Sequence, residues 1–381
     1  MIDRERMASV FTELIRIDSV SKMEKEVSNR LVQRLESLGA EVIRDRAGEA
    51  VGGNTGNVIA MFKGNTMASP MLLCAHMDTV EPGRGIDPVL ENGVFRSRGD
   101  TILGADDKSA MAILIEVLTV IQEQQLSCGP LDVVLTVCEE IGLLGAKHLD
   151  LNLVGARFGY ALDGSDTEGI VIQAPAANRL EFKIHGKDAH AGAAPEKGIN
   201  AIQLAAKAIS GLEIGRMDRE TTCNIGVIEG GSAVNVVPNL VVVKGEVRSH
   251  DQTKLDRVTE NMVFAFQKAV DEFPKSDDNL PRLEVAVIQE FPRTRIPEND
   301  PVVILAKKAA ENLGRSMKTK ISGGGSDANV FFEKGIMTGV LGTGMRDMHT
   351  VRESVSLDDM MKTAELLIEI IQLHAATGKR R

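Results

Sequence analysis

Apolar and polar positions fall into two textures along this chain. At the start, Phe11, Leu14 and Ile15 stand at helical spacing within residues 3–17, and a second amphipathic stretch over 23–38 stops at Gly39, a residue suited to ending helices. Short strand-like runs follow at 41–44, 57–62 and 71–76. The last, Leu72-Leu73-Cys74-Ala75-His76, shows no polar alternation, which predicts a strand covered on both faces, as in a parallel sheet. Leu90-Glu91-Asn92-Gly93-Val94-Phe95 predicts a hairpin turning at Asn-Gly. A long apolar helix is expected over 109–125, then a buried strand at 131–137 and a short one at 158–164.

From about residue 179 the texture changes. Strands are expected at 179–186, 222–229, 239–249 and 282–289, with helices at 199–212 and 252–273. That order, β-α-β-β-α-β, is the split βαβ unit with its helices on one sheet face. The chain therefore divides into 1–178, an inserted unit at 179–291, and 292–381, with 290–297 as the returning linker. Beyond it, helices are expected at 300–314, 327–334 and 357–375, and strands at 318–321 and 336–341. A length of 381 residues is more than one core usually serves, which agrees with two domains.

Composition narrows the function classes. Apolar residues make up 43% and charged residues 26%, an ordinary globular profile. The net charge of −10 and the lack of a basic stripe argue against a nucleic-acid partner, and no apolar run has the length of a membrane span. Cys74, Cys128, Cys138 and Cys223 are scattered without a CxxC pair, so disulfides are not expected. With a charged amino terminus that lacks a signal-peptide pattern, a cytoplasmic location is expected.

Candidate chemistry gathers where predicted strands end. His76 and Asp78, two apart, leave one strand end on the same side. A metal ligand with an acid beside it fits this pair, and so does a loop histidine near a surface aspartate. Asp106 and Asp107 at a helix start suit a cap or a ligand. Glu139 and Glu140 after a buried strand are harder to read as structural, because adjacent like charges near a core repel unless a cation compensates them. Asp163 ends a third strand, and His349 lies in a late loop. The loop Ser322-Gly323-Gly324-Gly325-Ser326-Asp327 lacks a P-loop ending, but its backbone can approach an anionic ligand closely, with Gly324 and Ser326 as contacts.

Taken in order, His76-Met77-Asp78, Gly104-Ala105-Asp106-Asp107-Lys108, Glu139-Glu140, Asp163 and His349 resemble the metal-site series of the M20 metallopeptidases, over nearly the whole chain. Leu103–Lys108 and Gly323–Asp327 are most similar to the peptidase T, or tripeptide aminopeptidase, branch; Ser109-Ala110 departs from the Ala-Gly more usual there. The resemblance implies an α/β fold: a zinc-exopeptidase-type mixed sheet with helices on both faces, plus an inserted α+β, ferredoxin-like lid that forms a homodimer. It implies two zinc ions per subunit, replaceable by cobalt or manganese. His76 and Asp163 would bind one, Glu140 and His349 the other, and Asp106 would bridge them. Asp78 would support His76, and Glu139 would be the general base for a metal-activated water, whose pKa falls to about 7. His190 in Ala189-His190-Ala191-Gly192 is similar to the family's oxyanion-binding histidine, and Asn235 and Arg248 to positions that grip a substrate's carbonyl or carboxylate groups. His148, His185, His250 and His374 match none of its ligands. The expected substrate is a short peptide cleaved at its amino-terminal bond. One metal core also serves carboxypeptidases and N-acyl-amino-acid deacylases in this family, so those reactions stay open, and a non-catalytic binding protein would have eroded a ligand or the base.

Overall fold

The computed structural model describes residues 1–274, 276 and 278–378. In chain order, helices α1 (Arg4–Ile15) and α2 (Lys25–Ser37) precede strand β1 (Glu41–Arg44), helix α3 (Ala47–Val51), β2 (Val58–Phe62), β3 (Met71–His76), β4 (Pro88–Glu91) and β5 (Val94–Ser97). Helix α4 (Ala105–Glu123), β6 (Leu131–Thr136), α5 (Leu144–Lys147), β7 (Phe158–Gly164) and β8 (Gly169–Ala174) follow. Next come β9 (Ala176–His185), α6 (Ala201–Ser210), β10 (Gly215–Arg216), β11 (Thr221–Gly230), β12 (Leu240–Ser249), α7 (Gln252–Asp271) and β13 (Arg282–Phe291). The chain closes with β14 (Thr294–Arg295), α8 (Pro301–Asn312), β15 (Lys318–Ile321), α9 (Asp327–Glu333), β16 (Met337–Gly342), β17 (Met345–Arg346), β18 (Ser354–Ser356) and α10 (Leu357–Ala375).

Two compact units result, Met1–Gln173 with Thr294–Arg381, and Ala174–Arg293. The first is built on a mixed sheet of order β1-β2-β6-β3-β7-β16-β8-β14, with β15 paired to β8. β3 lies parallel between β6 and β7, and all six of its residues are buried. Successive side chains on a strand point to opposite faces. Leu73 and Ala75 accordingly join the core that includes Ile113 and Val117 of α4, while the Cys74 sulfur lies 4.0 Å from Asp327 of α9. Helices thus cover both faces, as the apolar run requires. Burying each Leu, Ile or Val of this core contributes roughly 1.5–3 kcal/mol. The hairpin β4–β5 turns at Asn92 and Gly93, both at positive φ, and continues into a four-stranded sheet through β18 and β17.

The second unit is an antiparallel sheet of order β10-β11-β12-β9-β13. Its longer strands and two helices follow the split βαβ order, with the two-residue β10 as an addition. Leu180, Phe182 and Ile184 of β9 alternate with Arg179, Glu181 and Lys183, so one face packs on α6 and α7 while the other carries charge. Phe182 stacks on Phe266 of α7 with ring centroids 3.9 Å apart. β9 begins at Ala176 rather than 179, because Ala176, Ala177 and Asn178 continue its buried pairing with β12.

Candidate metal centre

The site lies where strands of the mixed sheet end. His76 is the last residue of β3; the chain then turns through Met77 and Asp78, and the His76 ring is 2% exposed. Its Nδ1 stands 2.9 Å from the Asp78 carbonyl oxygen. A ring that donates there leaves the Nε2 lone pair free, and Nε2 lies 3.0 Å from Asp106 Oδ1. Asp106 is set just after Gly104, whose φ of 73° is natural to glycine, and it keeps a non-helical backbone at the head of α4. His349 Nε2 approaches Asp106 Oδ2 at 3.3 Å and Glu140 Oε1 at 3.0 Å. One ligand atom each from His76, Asp106 and Glu140 lies within 4.8 Å of the others. Asp163 lies near the end of β7, and the residues whose ligand atoms gather within 4.8 Å are His76, Asp106 and Glu140.

Asp78 organises the two glutamates. Its Oδ1 accepts the Glu139 N–H at 2.9 Å, and its Oδ2 accepts the Glu140 N–H at 3.2 Å and the Ser21 hydroxyl at 2.6 Å. The glutamates sit in the loop beyond β6, where Cys138 takes a φ of 54°. Buried Glu24 holds that turn through the Cys138 N–H at 3.0 Å.

The charge balance is lopsided. Burial drives the Asp163 and Glu139 carboxyls well above the usual range, helped by neighbouring acids. Burial also lifts Glu140. For Asp106, burial pulls upward, but hydrogen bonds from His349 and His76 outweigh it and hold the group below its ordinary value. Hydrogen bonds to Asp106 and Glu140 push His349 up to about 10. A nest of carboxylates that draws protons onto its histidines this strongly is a nest that suits a divalent cation. Imidazole nitrogen and carboxylate oxygen are also the donors zinc accepts.

Sequence reasoning missed several supports. Glu353 is 1% exposed and accepts the Gly104 N–H at 2.7 Å and the Asp106 N–H at 3.0 Å; burial pushes its carboxyl up to about 7. Asp107 Oδ2 accepts the His76 N–H at 3.1 Å. Asp327 accepts the Thr136 hydroxyl at 2.5 Å beneath the cluster, where burial raises its carboxyl to about 6. The glycine loop serves itself: Gly324 donates to Ser322 Oγ at 3.0 Å, and Ser326 opens α9 in a capping box with Asn329.

Within the second unit, the Nδ1 atom of exposed His190 accepts the N–H groups of Gly192 and Ala193, each at 3.1 Å. In the neutral ring those bonds leave the proton on Nε2, which then faces outward as a donor. The Ala191 N–H binds the Asn235 carbonyl at 2.9 Å, so the loops of His190 and Asn235 lie side by side. Arg248 instead forks onto Glu246 of its own strand at 3.0 and 3.1 Å and lies over the Phe291 ring.

Comparison with known proteins agrees with this architecture. Residues 176–274 match the peptidase dimerisation domain of the M20 group, and residues 57–174 match peptidase family M28. The chain is 40% identical to the uncharacterized protein YqjE of Bacillus subtilis over 373 residues, covering 98% of this chain and 99% of that one. Its fold is similar to the crystal structure of aminopeptidase PepT from Bacillus cereus, with a TM-score of 0.87, 39% identity and coverage of 98% and 99% of the two chains. A tripeptidase from Staphylococcus aureus is similar with a TM-score of 0.91, 38% identity and coverage of 99% and 100%. The fold and these likenesses define a peptidase, a hydrolase of peptide bonds. The chain belongs to the M20 family of metallopeptidases, on its peptidase T-like branch.

Proposed function

We propose that this peptidase uses two divalent metal ions, zinc foremost with cobalt or manganese able to substitute, to release the amino-terminal residue of short peptides, tripeptides above all. One observation carries the reading: His76, Asp106 and Glu140 bring their ligand atoms within 4.8 Å while His349 touches both Asp106 and Glu140, so one carboxylate joins two sets of donors. In this reading His76 and Asp163 would hold the first ion and Glu140 and His349 the second, with Asp106 shared between them; of these, His76, Asp106 and Glu140 bring ligand atoms together and His349 contacts Asp106 and Glu140. When bound, the ions supply Lewis acidity and an activated water. Asp78 fixes the His76 tautomer and the backbone of both glutamates. Glu139, buried and raised in proton affinity, takes the proton of the attacking water and passes it to the leaving amine, a role worth about 10²–10⁴-fold.

His190 is the proposed oxyanion donor, through the Nε2 proton that its two backbone bonds leave free. Asn235, Arg248, Gly324 and Ser326 are the proposed substrate contacts; Arg248 would exchange Glu246 for a peptide carboxylate. The matched dimerisation domain supports a homodimer formed through Ala174–Arg293. Among the described residues no helix is long and apolar enough to cross a membrane, and all four cysteines are free and buried, which suits a peptidase of the cytoplasm.

The test is hydrolysis of a tripeptide, an N-blocked tripeptide and an N-acetyl amino acid by metal-free and zinc-reconstituted protein. Cleavage of the free tripeptide alone, lost on chelation and restored by zinc, is expected. Chelator-insensitive turnover, or preference for the N-acetyl amino acid, would overturn it.

A further inference from the structure

The turn that carries His349 has an anchor of its own. His349 adopts a φ of 60°, uncommon outside glycine, and its side chain is 53% exposed. It lies between β17 and β18 in a turn closed by the Glu353 N–H on the Thr350 carbonyl at 3.0 Å and by the Thr350 hydroxyl on the Asp347 carbonyl at 2.8 Å. At the end of that turn Glu353 goes inward. Each of its two carboxylate oxygens takes one backbone N–H from the opposite wall of the cluster, Gly104 at 2.7 Å and Asp106 at 3.0 Å, across 249 and 247 residues of chain. Lys108, fully buried on the same stretch, donates Nζ to the Ile17 carbonyl at 2.6 Å.

We infer that Glu353 is a positioning residue: it ties the His349 turn to the Asp106 turn and thereby sets how far apart the two donors of the second ion stand. The inference rests on the dinuclear reading above. It follows from what each end would do without the tie. Asp106 is already fixed through α4 and through His76, whereas among the described residues the half-exposed His349 side chain meets Glu140 and Asp106. Freeing the turn should therefore cost the site that uses His349 far more than the site that uses His76. The choice of a carboxylate is specific. An amide there keeps one acceptor oxygen but aims an N–H₂ at a backbone N–H, so one of the two ties becomes a donor facing a donor.

The experiment is a cobalt titration of metal-free protein, followed by calorimetry and by the visible absorption of the bound ion. Glu353→Gln should bind its first cobalt within about threefold of the unaltered protein and its second 10–100-fold more weakly, the usual loss for a residue that orients a ligand. In a His349→Ala background the same change should lose most of its effect on the second equivalent, because nothing remains to be positioned. A merely structural role would lower the melting temperature and leave the ratio of the two affinities unchanged; that result overturns the inference, as does a Glu353→Gln protein with both equivalents intact. If that variant does not fold, hydrogen exchange on the unaltered protein decides. The Gly104 and Asp106 amides should be protected before any metal is added and should open together with residues 349–353; free exchange at either amide refutes the tie. Unaltered protein that takes up no cobalt fails the dinuclear reading itself, whereas two normal equivalents and an indifferent Glu353→Gln fail this inference alone.

Discussion

Replacing Asp78 by asparagine removes one charge and almost no volume, and the structure allows its cost to be worked out bond by bond. Asp78 Oδ1 accepts from the Glu139 N–H at 2.9 Å and lies 3.4 Å from His76 Nδ1; Oδ2 accepts from the Glu140 N–H at 3.2 Å and from Ser21 Oγ at 2.6 Å. An asparagine has one acceptor oxygen and one donor nitrogen to place in those two positions. With its oxygen at the Oδ1 position, the Glu139 bond survives. The Ser21 hydroxyl can rotate and accept from the new N–H₂, but the Glu140 N–H is left facing a donor. The flipped amide is worse, since its N–H₂ would then face both the Glu139 N–H and His76. The better placement therefore loses one charge-assisted hydrogen bond, about 1.5–3 kcal/mol. Because the orphaned group is the backbone of Glu140, the loss should fall on the cluster: roughly 10- to 150-fold in affinity for the second ion, at 1.4 kcal/mol per decade. Metal titration and kcat/KM for a tripeptide at limiting zinc should both show it. An Asp78→Asn protein within threefold of the original in both measurements would mean that Asp78 does not hold the glutamate loop.

The remaining expectations concern adjacent groups and pH. Glu139→Gln should keep both ions and lose about 10²–10⁴-fold in kcat, whereas Glu140→Gln should release one ion and recover turnover in excess zinc; the reverse pattern in metal analysis would exchange their roles. His190→Ala should leave metal content unchanged and lower kcat by about 10²–10³-fold, and a normal kcat would remove it from the mechanism. In metal-free protein, His349 titrates at about 10 against an ordinary 6.5, so its stabilising contribution is complete below pH 6.5 and disappears as pH rises through 10. The raised carboxyls of Glu139 and Asp163 act in the same sense, and lowered Asp106 acts oppositely only in acid. Melting temperature of the metal-free protein should thus fall between pH 6.5 and 10 while the zinc-loaded protein changes little; a metal-free profile that rises over that range contradicts the cluster's charge balance.

Periodicity carried most of the fold. The strands β1 and β15 and the long helix α10 have the bounds their apolar patterns predict. β8 escaped because four residues separate it from β7 and one from β9, leaving no turn signal wide enough to separate it. β17 and β18, two and three residues long, are too short to show any period. In the site, the legible residues were those placed by local chain events: a histidine or acid where an apolar run stops. Apart from Asp78, the residues that hold them were not legible, because nothing local marks them. Glu353 reads as a loop acid until the fold sets it on Gly104, and Asp327 as the start of a helix until it meets Thr136 across 191 residues. Glu24 reads as the lip of α2 until it takes the Cys138 N–H, 114 residues on. There is a physical reason for this asymmetry. A proposed ligand such as His76 projects from a strand end, so its position follows from the strand. A group that orients a ligand need only lie within hydrogen-bond reach of a backbone N–H, and any surrounding element can supply it. Order and type of the proposed ligands therefore carry the resemblance to the family, while the set of their distances belongs to the folded chain.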